Sequence, residues 1–459
     1  MKSKLTFLAA LVAALFFVSS AAFASGTRMS SMGLTGADMM IQKDSAHWST
    51  NPASIAFFPA LITAYWDGAS NTHGGGKILL KPVKNVEFYS LISADYNSDA
   101  FKGLGSDGNP SWANFWHMGT YVASGLPAPY DELPSFINNN SGLLLDAANI
   151  SGSKPATLAV MMATMTFAYK INNMAFGLEG SFGYAGEDSD SALEWKVKLG
   201  TSIALTSSMS VDAAFCFGMP MLEQVGDNYH GKYTYESVNA YDLYAFARFN
   251  FQAMEHMLLH VFVKYIDADH STNYTADNDT DIDFNRYQHK LQIGVSDEMN
   301  FSKSSLVYVG LNLNMDMQKY YYDGTIAGTT DASKLSSDIT KWTLKLHMGC
   351  EGTIIGGLKG SFGVVHDIML YDVDNKNEVA SAGDSSYYDD REYNYRTDAS
   401  IGLAYKIGQF LLEATINKGL FTTGPNFISG GSEDLSSSIT LTYNFGETAA
   451  APAETNEEK

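Results

Sequence analysis

Hydrophobic and polar residues take turns along most of this chain. Leu193, Trp195, Val197 and Leu199 are separated by Glu194, Lys196 and Lys198, and Leu259, Val261, Val263 and Tyr265 by His260, Phe262 and Lys264. Tyr287, His289, Leu291, Ile293 and Val295 alternate with Arg286, Gln288, Lys290 and Gln292. Val307, Val309, Leu311 and Leu313 alternate with Tyr308, Gly310 and Asn312, and Trp342, Leu344, Leu346 and Met348 with Lys341, Thr343, Lys345 and His347. Period two puts each set on one face of a β-strand, because successive side chains point to opposite faces. A soluble antiparallel sandwich alternates as well. Length separates the two: a tilted strand needs roughly 9–11 residues to cross a bilayer, whereas average strands run to about five or six, and many of these runs are of the longer kind.

The connections carry a second signal. Short links fall near residues 170–174, 206–209, 252–257, 298–304, 352–356 and 407–409, and long ones near 222–236, 267–283, 319–338, 371–393 and 418–435. Tight periplasmic turns taking turns with long external loops are the pattern of an outer-membrane barrel, and Trp195, Trp342 and Tyr265 stand where interfacial aromatics would. The pattern predicts an all-β fold, a transmembrane antiparallel β-barrel. Thirteen strands are predicted from residue 157 to Phe445, the last of them running down to the periplasm through Ile439, Leu441, Tyr443 and Phe445. An even total needs an odd number upstream, from candidates at 60–67, 86–96 and 114–123: fourteen strands are expected, with sixteen as the alternative. Residues 131–150 read as short helix and loop.

Composition agrees with this class. Of 459 residues only 17% are charged and 13% are aromatic, and the mean hydropathy is −0.10, which suits strands with one apolar and one polar face. The net charge of −21 excludes a nucleic-acid binder, which needs a basic surface to displace counterions. The acidic link with Asp267, Asp269, Asp277, Asp279, Asp281 and Asp283 lacks the spacing and central glycine of an EF-hand loop and reads as solvated surface. Cys216 falls on a polar face and Cys350 on an apolar one, so they are expected as separate packing residues and not as a disulfide. Lys2, Lys4, the apolar run from Phe7 to Val18, and Ala22, Phe23 and Ala24 form an export signal. The organisation expected is a signal peptide at 1–24, an N-terminal hatch at 25–58, the barrel at 59–445 and a disordered acidic tail at 446–459.

The segment ahead of the first strand does not alternate. It carries Arg28, then Met32, Gly33, Gly36 and Ala37, then Trp48, Asn51, Pro52, Ala53, Ile55 and Ala56. Its moderate hydrophobicity argues that it folds into the lumen. This pattern resembles the FadL family of outer-membrane hydrophobic-compound transporters, closely over residues 28–56 and by architecture elsewhere. The resemblance implies a hatch that plugs a fourteen-stranded barrel, with Asn51, Pro52 and Ala53 in the family's motif and Arg28, Gly33 and Gly36 beside it. It also implies passive uptake of long-chain fatty acids or other apolar molecules. Independently, Pro52 fixes its own backbone and biases Asn51 toward extended geometry, useful in a rigid plug and equally in an ordinary turn.

Opposite the apolar faces lie Lys196, Lys198, His260, Lys264, Arg286, Lys290, Lys341, Lys345 and His347, the candidate lumen-facing residues. For any one of them a solvated or mutually paired charge is the plainer role; together they can attract a carboxylate headgroup. No enzyme is expected: the histidines are scattered, no Gly-x-Ser-x-Gly elbow occurs, and no His/Cys cluster suggests zinc. Gly74, Gly75, Gly76 and Lys77 lack the spacing of a phosphate loop and read as a turn. No cofactor or metal is expected. The expected partners are hydrophobic small molecules, outer-membrane lipids and the barrel-assembly machinery that reads an aromatic-ended final strand. The protein is expected as a monomer in the outer membrane of a Gram-negative bacterium. Two other readings remain: a general porin with an open aqueous lumen, and a structural or secretion-associated barrel that binds a protein partner.

Overall fold

The computed structural model describes residues 26–32, 34, 48, 50–67, 73–81, 87–97, 160–187, 190–228, 231–269, 271–276, 280–302, 305–325, 332–379, 385–417 and 437–445. The signal segment, the candidate strand at 114–123, the stretch 131–150 and the tail 446–459 lie outside the described residues. The strands are β1 (Leu61–Asp67), β2 (His73–Leu80), β3 (Phe88–Asn97), β4 (Val160–Ile171), β5 (Met174–Glu187) and β6 (Asp190–Ala204). They continue with β7 (Met209–Asn228), β8 (Gly231–Ser237), β9 (Tyr241–Met254), β10 (Met257–Asp269), β11 (Thr272–Ala276) and β12 (Thr280–Ser302). The last six are β13 (Ser305–Thr325), β14 (Ala332–Ile355), β15 (Leu358–Val379), β16 (Ser385–Ile407), β17 (Phe410–Asn417) and β18 (Ser437–Asn444).

These strands form one antiparallel sheet that closes on itself. β1 pairs with β2 on one side and with β18 on the other, Ala64 facing Leu441 across the seam. β8 runs on into β9 and β10 into β11, so the 18 segments make a wall of 16 strands. The two breaks lie side by side: Val238 donates its N–H to the Ser271 carbonyl at 2.9 Å, and Asn239 takes φ 54°, a left-handed conformation that Asn tolerates better than most residues. Sixteen is the alternative count of the sequence reading. The three upstream strands are β1, β2 and β3, however, and β2 contains Gly74 to Lys77, which is therefore strand and not turn.

The two faces separate as the periodicity predicts. Leu199, Ile293, Leu311, Met348 and Leu441 are exposed on the outer surface, while the adjacent Gln292, Asn312, His347 and Thr440 are buried toward the interior. A wall that shows its leucines outward and hides its amides inward is built for lipid outside and a polar lumen inside, and the chain is a transmembrane barrel of the outer-membrane type. Exposed Tyr169, Phe176, Phe251, Phe301, Phe410 and Phe445 ring the end with the tight turns, and Tyr184, Tyr287, Trp342 and Tyr393 the other. Cys216 is buried, Cys350 exposed, and both are free.

The links at 222–236, 267–283, 319–338 and 371–393 are for the most part not loops. β7, β12, β13, β14, β15 and β16 run 20 to 24 residues and carry the backbone ladder well past the lipid belt. Beyond the bilayer neither face meets hydrocarbon, so alternation fades although the pairing continues. At the opposite end the turns are tight as expected; Gly356 and Gly408 supply positive φ there, and Asn172 does the same at the β4–β5 turn.

Placing a charge on the lipid face tests the assignment. Leu311→Lys should cost about 2–4 kcal/mol in urea unfolding from vesicles, the range for a lysine near the bilayer midplane. Lys345→Gln, on the inward face, should cost far less; equal costs would contradict the assignment of faces.

Candidate functional site

The N-terminal segment lies inside the barrel near the tight-turn end, which is the periplasmic end by the rule for outer-membrane barrels. Helix α1 (Gly26–Ser31) packs on β15 to β18. Met29, Met32 and Leu34 then reach into a fully buried cluster with Ala214, Phe246, Phe262, Leu306 and Tyr308. Those partners come from β7, β9, β10 and β13, so this short piece of chain bridges well-separated parts of the wall. Arg28 forms a buried ion pair with Glu351 on β14, whose other oxygen takes Lys359 Nζ at 3.2 Å. Removing one partner of a buried ion pair costs roughly 3–5 kcal/mol, so this is the strongest single tether of the segment. The Tyr308 hydroxyl donates to the Met32 carbonyl, and Ser400 Oγ donates to the Ser31 carbonyl at 3.1 Å.

A second anchor is a 3-10 helix, Pro52–Phe57, which packs on β3 to β6. Its local chemistry explains the Asn-Pro-Ala motif. Asn51 is extended, with φ −131° and ψ 107°, as the residue before proline should be, and its Oδ1 accepts the Ala53 N–H at 3.0 Å, capping the turn. Pro52 takes the first helical position, where its missing N–H costs nothing. Asn51 Nδ2 donates to the Thr201 carbonyl at 3.0 Å, fixing the turn to β6. Ala53 is small because it lies on Gly177: a Cβ added there would collide with the backbone of Pro52 and Ala53, and one at Gly200 with Asn51. Trp48, Ile55, Ala56 and Phe58 complete the contact against Leu61, Leu79, Tyr89 and Leu91. The Trp48 and Phe58 rings meet edge to face, 5.0 Å apart.

Of the sequence-named hatch residues, Arg28, Asn51, Pro52 and Ala53 are therefore in contact with the wall, while Gly33 and Gly36 lie outside the described residues. The sequence-named basic residues are spread over four strands and do not converge. Lys198 Nζ pairs with Glu179 at 2.7 Å, and Lys196 lies 3.8 Å from Asp242. His260, fully buried, holds Asn250 Oδ1 at 2.7 Å and faces Glu298 at 3.4 Å. Lys264 and Lys341 each stand 5.0 Å over the rings of Tyr244 and Tyr371. Lys345 sits between Asn312 and Asp367 in the register, Lys290 faces Asp316, and His347 is buried. The Arg286 side chain is outside the described residues.

The acidic half of this network was missed by sequence reasoning. Asp212 accepts Arg248 Nη2 at 2.8 Å, Arg248 Nε at 3.0 Å, Ser202 Oγ at 2.6 Å and Asn250 Nδ2 at 3.0 Å. Glu179, Asp212, Glu298 and Glu351 have the same inward parity as the lysines, a signal present in the sequence. Beneath the 3-10 helix, open at the periplasmic turns, lies a cavity of about 380 Å³ floored by Asp212, Arg248 and Asn250. At its edge, outside the spanning strands, Glu87 has its carboxyl held below the ordinary range by hydrogen bonds from Lys81 and Tyr89. Among the described residues no group of three or more His, Cys, Asp or Glu is placed to hold a metal ion.

No protein-family profile matches the chain, and no curated protein matches its sequence. Solved structures do resemble it. The toluene transporter TbuX of Ralstonia pickettii is 11% identical with a TM-score of 0.39, over 94% of this chain and 100% of that one. The toluene transporter TodX of Pseudomonas putida is 9% identical with a TM-score of 0.39, over 92% and 97%. The siderophore receptor PirA of Acinetobacter baumannii is 9% identical with a TM-score of 0.37, over 85% of this chain and 66% of that one.

The glycine seat gives a matched pair of substitutions. Gly177→Val should displace the Asn-Pro-Ala turn and expose the N-terminal segment to trypsin, read by mass spectrometry of the fragments. Gly180→Val on the same strand, with nothing within 4 Å of its Cβ, should leave the segment protected. Equal protection in both variants would contradict the seat.

Proposed function

We propose that the chain is an outer-membrane transporter, closed at its periplasmic end by its own N-terminal segment, through which hydrophobic compounds such as long-chain fatty acids pass inward without energy input. The observation that carries this reading is the stopper itself. Met29, Met32 and Leu34 are buried in the lumen and tethered by Arg28 and Glu351, an arrangement a permanently open aqueous pore has no use for. Above the stopper the wall offers an apolar patch, Ile339, Met369 and Tyr371, beside the Lys341 ammonium. Lys290 and Lys345 add inward cations that make no hydrogen bond or ion pair among the described residues. An apolar body with an anionic head matches that combination. Passage requires the hatch to yield, and a cargo shifts the hatch only to the extent that it binds the opened form more tightly.

A second reading is favoured by the polarity of the wall. Buried Thr166, Asn312, Asn314, Thr415 and Thr440 give the lumen many hydrogen-bonding groups, which suits a plugged channel for polar solutes. Vesicle uptake separates the two: relative to protein-free liposomes, the protein should accelerate dodecanoate entry more than glucose entry, and acceleration of glucose alone would favour the polar channel.

Deleting residues 28–56 should turn a quiet barrel into an ion-leaky pore in planar bilayers. Unchanged conductance would remove the plug from the account.

A further inference from the structure

The periplasmic cavity has features that plugging the lumen does not require. A plug needs apolar contact on the lumen side; its periplasmic underside is expected to be polar. Here Phe57, at the end of the 3-10 helix, turns its ring into the cavity mouth and is 46% exposed, although it does not face lipid. Phe58 and Leu258 extend the apolar surface. Lys170 projects from the end of β4 with its ammonium 5.3 Å from the centre of the Phe57 ring; its charge is also felt by the Glu87 carboxylate, with no hydrogen bond or close ion pair between the two. The nearby carboxylate, Glu87, has one oxygen on Lys81 at 2.8 Å and the other on the Tyr89 hydroxyl. Within the cavity the one acid, Asp212, is matched by Arg248, so Lys170 leaves the lining with a net positive charge.

We propose that this cavity is a binding site for an amphiphilic monoanion, its apolar body on Phe57, Phe58 and Leu258 and its carboxylate on Lys170. The volume of about 380 Å³ lies within the 300–1,000 Å³ of small-molecule sites. A cation already over an aromatic face is positioned by it and keeps its hydrogen-bond donors for a ligand. As the last station before the periplasm, the site would hold cargo that has passed the hatch; this role, though not the binding itself, rests on the transport reading above.

The test uses the full-length protein in detergent with a dodecanoate carrying a diazirine at its tail, photolysed and mapped by mass spectrometry. Adducts on Phe57, Phe58 or Leu258 are expected in the parent protein, reduced about tenfold by Lys170→Gln, the scale of one charge-assisted hydrogen bond, and retained by Lys170→Arg. Retention by the arginine variant also shows that the site still folds. Absence of these adducts, equal labelling of Lys170→Gln, or equal labelling by the matching diazirine alcohol would overturn the site. Dodecanoate uptake by liposomes reconstituted with the same variants, taken as the excess over protein-free liposomes, keeps the two claims apart. Uptake without adducts at the mouth removes the site and spares transport; adducts without uptake support the site and remove transport.

Discussion

The structure depends on one requirement: in hydrocarbon every backbone N–H and C=O must find a partner within the protein. A sheet meets this only by having no edge, and the pairing of β1 with β18 removes the last one. The sequence pattern follows from that closure. Because the ladder satisfies the backbone, side chains are left to match their surroundings, with Leu311 and Met348 outward on lipid and Asn312 and His347 inward. The aromatic rings near both strand ends mark where hydrocarbon gives way to headgroups.

Closure creates a second problem, a lumen that must be filled or left open. The described parts of the N-terminal segment lie at its periplasmic end and meet the wall by two contacts of different kind. Around Met29, Met32 and Leu34 the fit is apolar and is tethered by one buried ion pair. Around Asn51, Pro52 and Ala53 it is steric, with glycines on β5 and β6 making room for backbone to lie on backbone. Charges inside the wall follow the same economy: Glu179, Asp212 and Glu351 each face a cation, as buried carboxylates must. Lys170, Lys264 and Lys341 stand instead over aromatic rings.

The barrel was legible in the sequence wherever a strand crosses lipid, because there the two faces meet different solvents. It was illegible where they do not. The extensions of β12 to β16 lose the alternation in sequence and read as loops, although their backbone pairing continues. β2 was hidden for another reason: Gly74, Gly75 and Gly76 offer no side chains to alternate, and the segment is strand because β1 and β3 pair with it on either side. In the candidate site, Arg28 and the Asn-Pro-Ala turn stood out by their local chemistry. Their seats at Glu351, Gly177 and Gly200 did not, since nothing in a linear sequence says which inward residue a distant segment will touch.

Lipid face, lumen and the proposed plug all require that the ring be closed, and a disulfide across the seam measures this directly. With Cys216 and Cys350 replaced by alanine, Ala64→Cys and Leu441→Cys should cross-link on mild oxidation in lipid, as should the neighbouring pair Leu412→Cys and Leu441→Cys on β17 and β18. If the second pair forms readily while the first stays reduced, the chain's first and last strands are not neighbours and the barrel is not closed.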